Sequence, residues 1–120
     1  MAKLHFLKSV TDTINTSFII ESNGTLIVFD GGFESEEPYL YEYLKGLGGH
    51  VKAWFLTHFH DDHFGCFLTM LQKHPDITVD EVCYNFPPDE YLVRWDPKQS
   101  HNPTEVWLSL FREAIAARNI

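Results

Sequence analysis

Cysteine and basic residues are scarce in this chain. Two cysteines, Cys66 and Cys83, do not make a disulfide framework. Buried free thiols are the ordinary reading of such a pair, with a place beside a metal kept open for Cys66. Only 9 Lys and Arg stand against 17 Asp and Glu, a formal net charge of -8. A general nucleic-acid-binding surface needs a basic face, so none is expected. A phosphodiester substrate is still compatible, because a metal ion supplies positive charge locally. No apolar run approaches the roughly 20 residues that span a bilayer. The opening Met1-Ala2-Lys3-Leu4-His5 lacks the apolar stretch and cleavage site of a secretory leader. A cytoplasmic location without membrane contact is the resulting expectation. Internal repeats and low-complexity tracts are also missing.

What is present suits a single folded unit over residues 1–120. Hydrophobic residues make up 44% and aromatics 15%, enough for a core and too much for disorder. A short strand is predicted over 4–8. Two β-rich runs, 17–22 and 25–29, flank Asn23-Gly24, a strong two-residue hairpin signal. Asp30-Gly31-Gly32 breaks the second run, and its glycines permit a tight turn or close backbone approach. Leu40, Tyr43, Leu44 and Leu47 fall at helical spacing, predicting a helix over 36–47. Glu34, Glu36 and Glu37 suit the positive end of that helix. The nearly continuous apolar run 51–56 reads as a strand buried on both faces. A helix over 64–73, with Gly65 allowing close approach, and a strand over 81–84 follow. Residues 86–99, with Pro87, Pro88 and Pro97, read as loop. A last helix over 103–118 has Asn102 as its expected N-cap and a broad apolar face.

The segment with most chemistry is Thr57-His58-Phe59-His60-Asp61-Asp62-His63. It places three imidazoles and two carboxylates directly after the apolar run. Imidazole nitrogen and carboxylate oxygen are the ligands that zinc and related divalent ions prefer. In an extended loop side chains alternate, so His58 and His60 point to one side and reach one ion. Asp62 and His63, where the chain turns, reach a second. Paired ions a few ångströms apart are a known device for hydrolysis. Ligands of α/β sheets bind at the carboxyl ends of strands, which is where this segment falls. His5, His50, His74 and His101 show no such partner pattern.

His58-Phe59-His60-Asp61-Asp62-His63 resembles the metal-binding motif of the metallo-β-lactamase superfamily. Thr57 before the first histidine agrees, as does Phe29-Asp30-Gly31-Gly32, which is similar to the family's strand-terminal Asp-Gly turn. The order of hairpin, Asp-Gly-Gly, helix, strand, motif and helix also matches. Around the hairpin and Asp30-Gly31-Gly32 the chain looks closest to the branch found in bacterial competence proteins.

The resemblance implies an α/β fold, half of an αββα sandwich with a mixed sheet and flanking helices. It implies a metal-dependent hydrolase acting on a phosphodiester or another ester through a metal-activated water. His58, His60, Asp62 and His63 are then the metal ligands. Asp62 and Asp30 are the carboxylates tied to the chemistry, with Asp30 orienting the metal loop. Asp61 faces solvent or the loop. Zinc is the expected metal, one or two ions, with manganese or iron also compatible. His60 resembles the hydrolytic type, since diiron redox members tend to carry an acidic residue there.

The family's later His, Asp and His motifs have no counterpart here. The chain therefore reads as the N-terminal half of such a domain, cut from a longer protein or naturally short. Each ion would have two protein ligands where catalytic zinc usually has three. Partial occupancy and little activity are expected of these residues alone. The alternative is a non-catalytic metal-binding or interaction module that retains the loop. Half a sandwich also leaves an apolar surface, either used for self-association or covered by the last helix.

Overall fold

The computed structural model describes residues 2–11 and 15–120. Strand β1 (Ala2–Phe6) pairs antiparallel with β2 (Ser17–Ser22), and β2 with β3 (Thr25–Asp30). Asn23 and Gly24 close the hairpin with φ of 50° and 80°. Positive φ at both central residues matches the right-handed twist of the paired strands. After β3 the chain makes a short 3-10 turn (Glu34–Glu36) and helix α1 (Glu37–Gly46). Then come β4 (His50–Leu56), α2 (Asp61–Lys73) and β5 (Thr78–Tyr84). Strands β3, β4 and β5 are parallel neighbours, giving one mixed sheet in the order β1-β2-β3-β4-β5.

This order decides which face is covered. Each β-α-β crossover is right-handed. Both crossovers step across the sheet in the same direction, so α1 and α2 land on the same face. Ile19, Val28 and Trp54 lie side by side in register and point into that layer. They meet Leu40 and Leu44 of α1 and Phe67 and Met70 of α2, all of them buried. Each such side chain contributes about 1.5–3 kcal/mol when removed from water. The register shifts between Leu26 and Ile27, so Val51 opposes Leu26 and Ala53 opposes Ile27. That bulge turns Val51 and Trp54 to the same face while Lys52 stays exposed.

Among the described residues no helix lies on the other face. Phe18 stacks on Phe29 at 4.4 Å and Phe29 on Phe55 at 5.0 Å, with Phe6 tilted against Phe18 at the edge. Phe6 is 79% exposed, and Phe18, Phe29 and Phe55 are half-buried. The expectation of a strand over 51–56 buried on both faces is thus corrected. Strand β4 is central in the sheet, but Phe55 looks out onto the open side. Its apolar run reflects an aromatic ladder, not a second helix layer.

After β5 come α3 (Asp89–Trp95), the short antiparallel pair β6 (Lys98–Gln99) and β7 (Asn102–Pro103), and α4 (Thr104–Ala117). The loop expected over 86–99 therefore contains a helix. Pro87 and Pro88 precede it instead of breaking it, and Leu92 is its one buried residue, too little for a periodic signal. Asn102 is not the N-cap of α4: it pairs with Gln99, and the helix starts after Pro103. Helix α4 joins the helix layer. Its Trp107 and Phe111 meet Phe64 and Phe67 of α2 edge-on or tilted, and Arg118 donates to the carbonyls of Leu71, His74 and Ile77. It does not cover the aromatic ladder. A least dimension of 23 Å fits one sheet plus one helix layer.

Two acidic residues expected at the N-terminus of α1 are buried. Glu36 accepts hydrogen bonds from the Ser9 hydroxyl, the Val10 N–H and the Thr11 hydroxyl, tying down the chain after β1. Glu37 pairs with His74 at the end of α2. Tyr41 stacks on His74 and donates its hydroxyl to Asp76 at 2.6 Å, with Lys45 3.0 Å from the same carboxylate.

The Tyr41 hydrogen bond, then Lys45, holds the Asp76 carboxyl down at about 2, from an ordinary 3.8. The Tyr41 hydroxyl is pushed up to about 12 from 10.0, chiefly by donating to that carboxylate. A depressed acid contributes stability above its unfolded value and loses it as pH falls. A raised phenol contributes below its unfolded value and loses it as pH rises. The stability lost in Tyr41→Phe should therefore be constant between pH 3.8 and 10.0, and should shrink toward pH 2 and pH 12. Urea unfolding of both proteins across pH measures it. A difference independent of pH would remove the pair from the account.

Candidate metal centre

Three features of the chain carry Thr57 to His63 across the carboxyl ends of β3 and β4. The first is Phe59. Its ring is buried, stacked on Phe64 at 4.4 Å and edge-on to Phe86 and Phe111. With Phe59 anchored inward, alternation turns His58 and His60 outward, their rings nearly parallel and 5.9 Å apart. The second is the early start of α2. His60 has extended dihedrals, and its carbonyl accepts from the His63 and Phe64 N–H groups. The helix expected over 64–73 thus begins at Asp61, and its first turn carries Asp62 and His63. Asp61 and Asp62 sit well at that positive end. His63 swings back to within 4.9 Å of His58, ring to ring. The third is the close approach of α2 to the turn after β3. The Cys66 N–H donates to the Gly32 carbonyl at 3.0 Å, and a Cβ on Gly65 would sit 2.9 Å from the Glu34 nitrogen.

Asp30 ends β3 with φ of 54° and is 1% exposed. Aspartate tolerates that left-handed conformation better than most residues. The Trp54 indole N–H donates to its carbonyl at 2.7 Å. Its carboxylate accepts from the Thr57 N–H at 2.9 Å and the Thr57 hydroxyl at 2.7 Å, and lies 3.1 Å from His63 Nδ1. This is more than a plain turn residue: it ties the sheet, the loop and one imidazole together.

These contacts show which ring nitrogens the protein engages. The Thr57 hydroxyl gives its proton to Asp30 and its oxygen lies 3.2 Å from both His58 Nδ1 and His63 Nδ1. A proton on Nδ1 of each ring suits these contacts and would leave Nε2 to a ligand. His60 is the reverse. Its Nε2 lies 3.0 Å from Asp96 Oδ2, which leaves Nδ1 free. Asp62 Oδ2 is 3.7 Å from His63 Nε2. Two ligand atoms of a tetrahedral zinc shell stand about 3.3 Å apart for bonds near 2.0–2.1 Å.

The donor set and its tautomers thus fit a divalent ion. The four expected ligands are brought to one end of the sheet. Among the described residues, however, no three His, Cys, Asp or Glu side chains already converge to hold an ion. Asp61 faces the loop, as expected. Its N–H donates to Gln99 Oε1 at 2.8 Å, and its carboxylate accepts from Ser100. Cys66 is a core residue behind Gly31, its thiol pushed up by burial. Cys83 lies half-buried beside Phe55 in a shallow groove on the open face.

Sequence reasoning passed over two residues that matter here, and read a third, Thr57, only as the neighbour of the first histidine. Gln99 is 7% exposed and grips the loop backbone at two points, accepting from Asp61 and donating to the Phe59 carbonyl at 2.9 Å. Asp96 faces His60. Thr57 organises two imidazoles at once. The first two lie in the stretch read as a featureless loop, and no local pattern links them to a motif so far away in the chain.

Among the described residues no helix is long and apolar enough to cross a membrane. No curated protein matches the chain. A family model for the metallo-beta-lactamase superfamily matches residues 10–110. That span runs from the chain before β2 into α4 and includes the hairpin, Asp30 and the whole histidine loop. Together with the mixed sheet and its flanking helices, it places this chain in the metallo-beta-lactamase superfamily.

Proposed function

We propose that this chain carries the metal loop of a metal-dependent hydrolase, with zinc as its metal and a phosphodiester or another ester as its substrate class. The observation that supports it best is the state of the three imidazoles. Each has one nitrogen held by a protein group, and the other nitrogen of His63 faces the Asp62 carboxylate, its expected co-ligand. His58 and His60 would hold one ion, and Asp62 and His63 a second. A bound divalent ion acidifies water and polarises a phosphoryl or carbonyl oxygen. The protein's own part is orientation. Asp30 holds His63, Thr57 holds His58 and His63, and Phe59 and Gln99 hold the loop backbone.

Metal analysis after zinc loading and desalting tests the reading. The wild-type chain should retain zinc below full occupancy, and His58→Ala/His60→Ala, which leaves only Asp62 and His63, should retain far less. Turnover of a chromogenic phosphodiester should be slow, zinc- or manganese-dependent, and abolished by His60→Ala. Equal zinc in both proteins, or turnover that survives His60→Ala, would sink the assignment.

A second reading has its own support. With no three ligands converging and one sheet face uncovered among the described residues, the chain suits a metal-binding or interaction module without catalysis. Zinc retained by the loop with no metal-dependent turnover of any ester would favour it.

A further inference from the structure

We propose that Asp96 is a positioning residue of this metal centre, doing for His60 what Asp30 does for His63. The inference rests on the metal reading above. A metal-binding imidazole commonly donates its other N–H to a carboxylate, which fixes ring orientation and raises ligand basicity. His63 has that partner in Asp30, at 3.1 Å. His60 has one too: its Nε2 lies 3.0 Å from Asp96 Oδ2. The carboxylate keeps the proton on Nε2, so His60 presents Nδ1 to an ion while His58 and His63 present Nε2.

The ion pair itself is about half exposed on both sides, and such pairs stabilise folds little. Its placement is what matters. Asp96 follows α3, and its N–H donates to the Leu92 carbonyl at 2.9 Å. Its own carbonyl accepts from the Thr104 hydroxyl, and the Thr104 N–H donates to the Pro97 carbonyl at 3.0 Å. Three residues on, Gln99 clamps the backbone on either side of His60, at Phe59 and Asp61. The carboxylate is thus held on a scaffold fastened to the same loop as the imidazole it faces. Residues 89–104 become part of the centre.

The test uses the full chain and three variants, read by imidazole proton and nitrogen NMR and by zinc titration against a chelating dye. In the metal-free wild type at mildly alkaline pH, the His60 Nε2 proton should be protected from exchange and visible. Asp96→Ala should lose that signal and weaken zinc binding on the order of 10- to 100-fold. Asp96→Asn, whose amide oxygen still accepts from Nε2–H, should restore the signal and most of the affinity. His60→Ala is the control for a lost ligand.

An unprotected His60 proton in the wild type would overturn the proposal, as would zinc affinity unchanged in Asp96→Ala. So would zinc on Nε2 of His60 in the loaded protein. Equal loss in Asp96→Asn and Asp96→Ala would make Asp96 a ligand instead of a positioning group. A wild-type chain that binds no zinc would defeat the metal reading, while the proton signal still decides whether Asp96 sets the His60 ring.

Discussion

Asp30→Ala should cost about 2–3 kcal/mol of stability, the range for hydrogen bonds to a charged acceptor and for donors left without one. Three donors converge on that carboxylate: the Thr57 N–H, the Thr57 hydroxyl and His63 Nδ1. Removing it takes the acceptor from all three, and an alanine must also hold φ of 54°. Urea unfolding measures the loss. The isosteric Asp30→Asn separates structure from chemistry. Its side chain still accepts from the Thr57 N–H and tolerates the positive φ, so the fold should lose only about 1–2 kcal/mol. Its amide N–H2, however, now points at Thr57. The threonine hydroxyl must then accept, and its own proton is freed for His63 Nδ1. That inverts the His63 tautomer and places a proton on Nε2, the nitrogen meant for the metal. Zinc retention should fall much further than stability does. Wild-type zinc retention in Asp30→Asn would reduce Asp30 to a turn residue.

Gly65→Val should be the most disruptive change away from the ligands. A Cβ there would sit 2.9 Å from the Glu34 nitrogen and 3.3 Å from the Phe33 carbonyl carbon. Both are backbone atoms, so no side chain can rotate out of the way. Helix α2 would have to withdraw from the turn after β3 and break the Cys66 N–H to Gly32 carbonyl bond beside it. Overpacking alone costs about 1–3 kcal/mol, and a β-branched residue adds to it. A loss of about 3 kcal/mol or more is expected. Gly65→Ala is the sharper case, because alanine gains about 1 kcal/mol in helix propensity. Net destabilisation by alanine, read from thermal unfolding, would show that the close approach outweighs propensity. A stabilised alanine variant would show that the two segments separate freely. Since Asp62 and His63 ride on the first turn of α2, zinc affinity should fall along with stability.

The sequence carried the local physics well. The Asn23-Gly24 hairpin, the strand before the histidine loop and the helix after it follow from turn chemistry and apolar runs, which act over a few residues. The motif itself was readable because histidines and aspartates at so short and regular a spacing are rare in an ordinary loop. Helix α3 was hidden by its length: at seven residues with one buried side chain it has no period to detect. The N-cap of α4 was misplaced because Asn102 is claimed by Gln99 across a two-residue strand pair, a contact that propensity cannot see.

By itself, then, the sequence determined the longer elements, the family resemblance and the ligand candidates, all of which depend on neighbours in the chain. Tertiary structure alone decided three other things. It put both crossover helices on one face and left the Phe6-Phe18-Phe29-Phe55 ladder uncovered, because strand order fixes the direction of each crossover. It set a hydroxyl and two carboxylates against particular ring nitrogens, because contacts across the chain and not its local pattern bring those groups together. And it brought Asp96 and Gln99 to the loop from more than thirty residues away, where hydrogen bonds join groups that no sequence period connects.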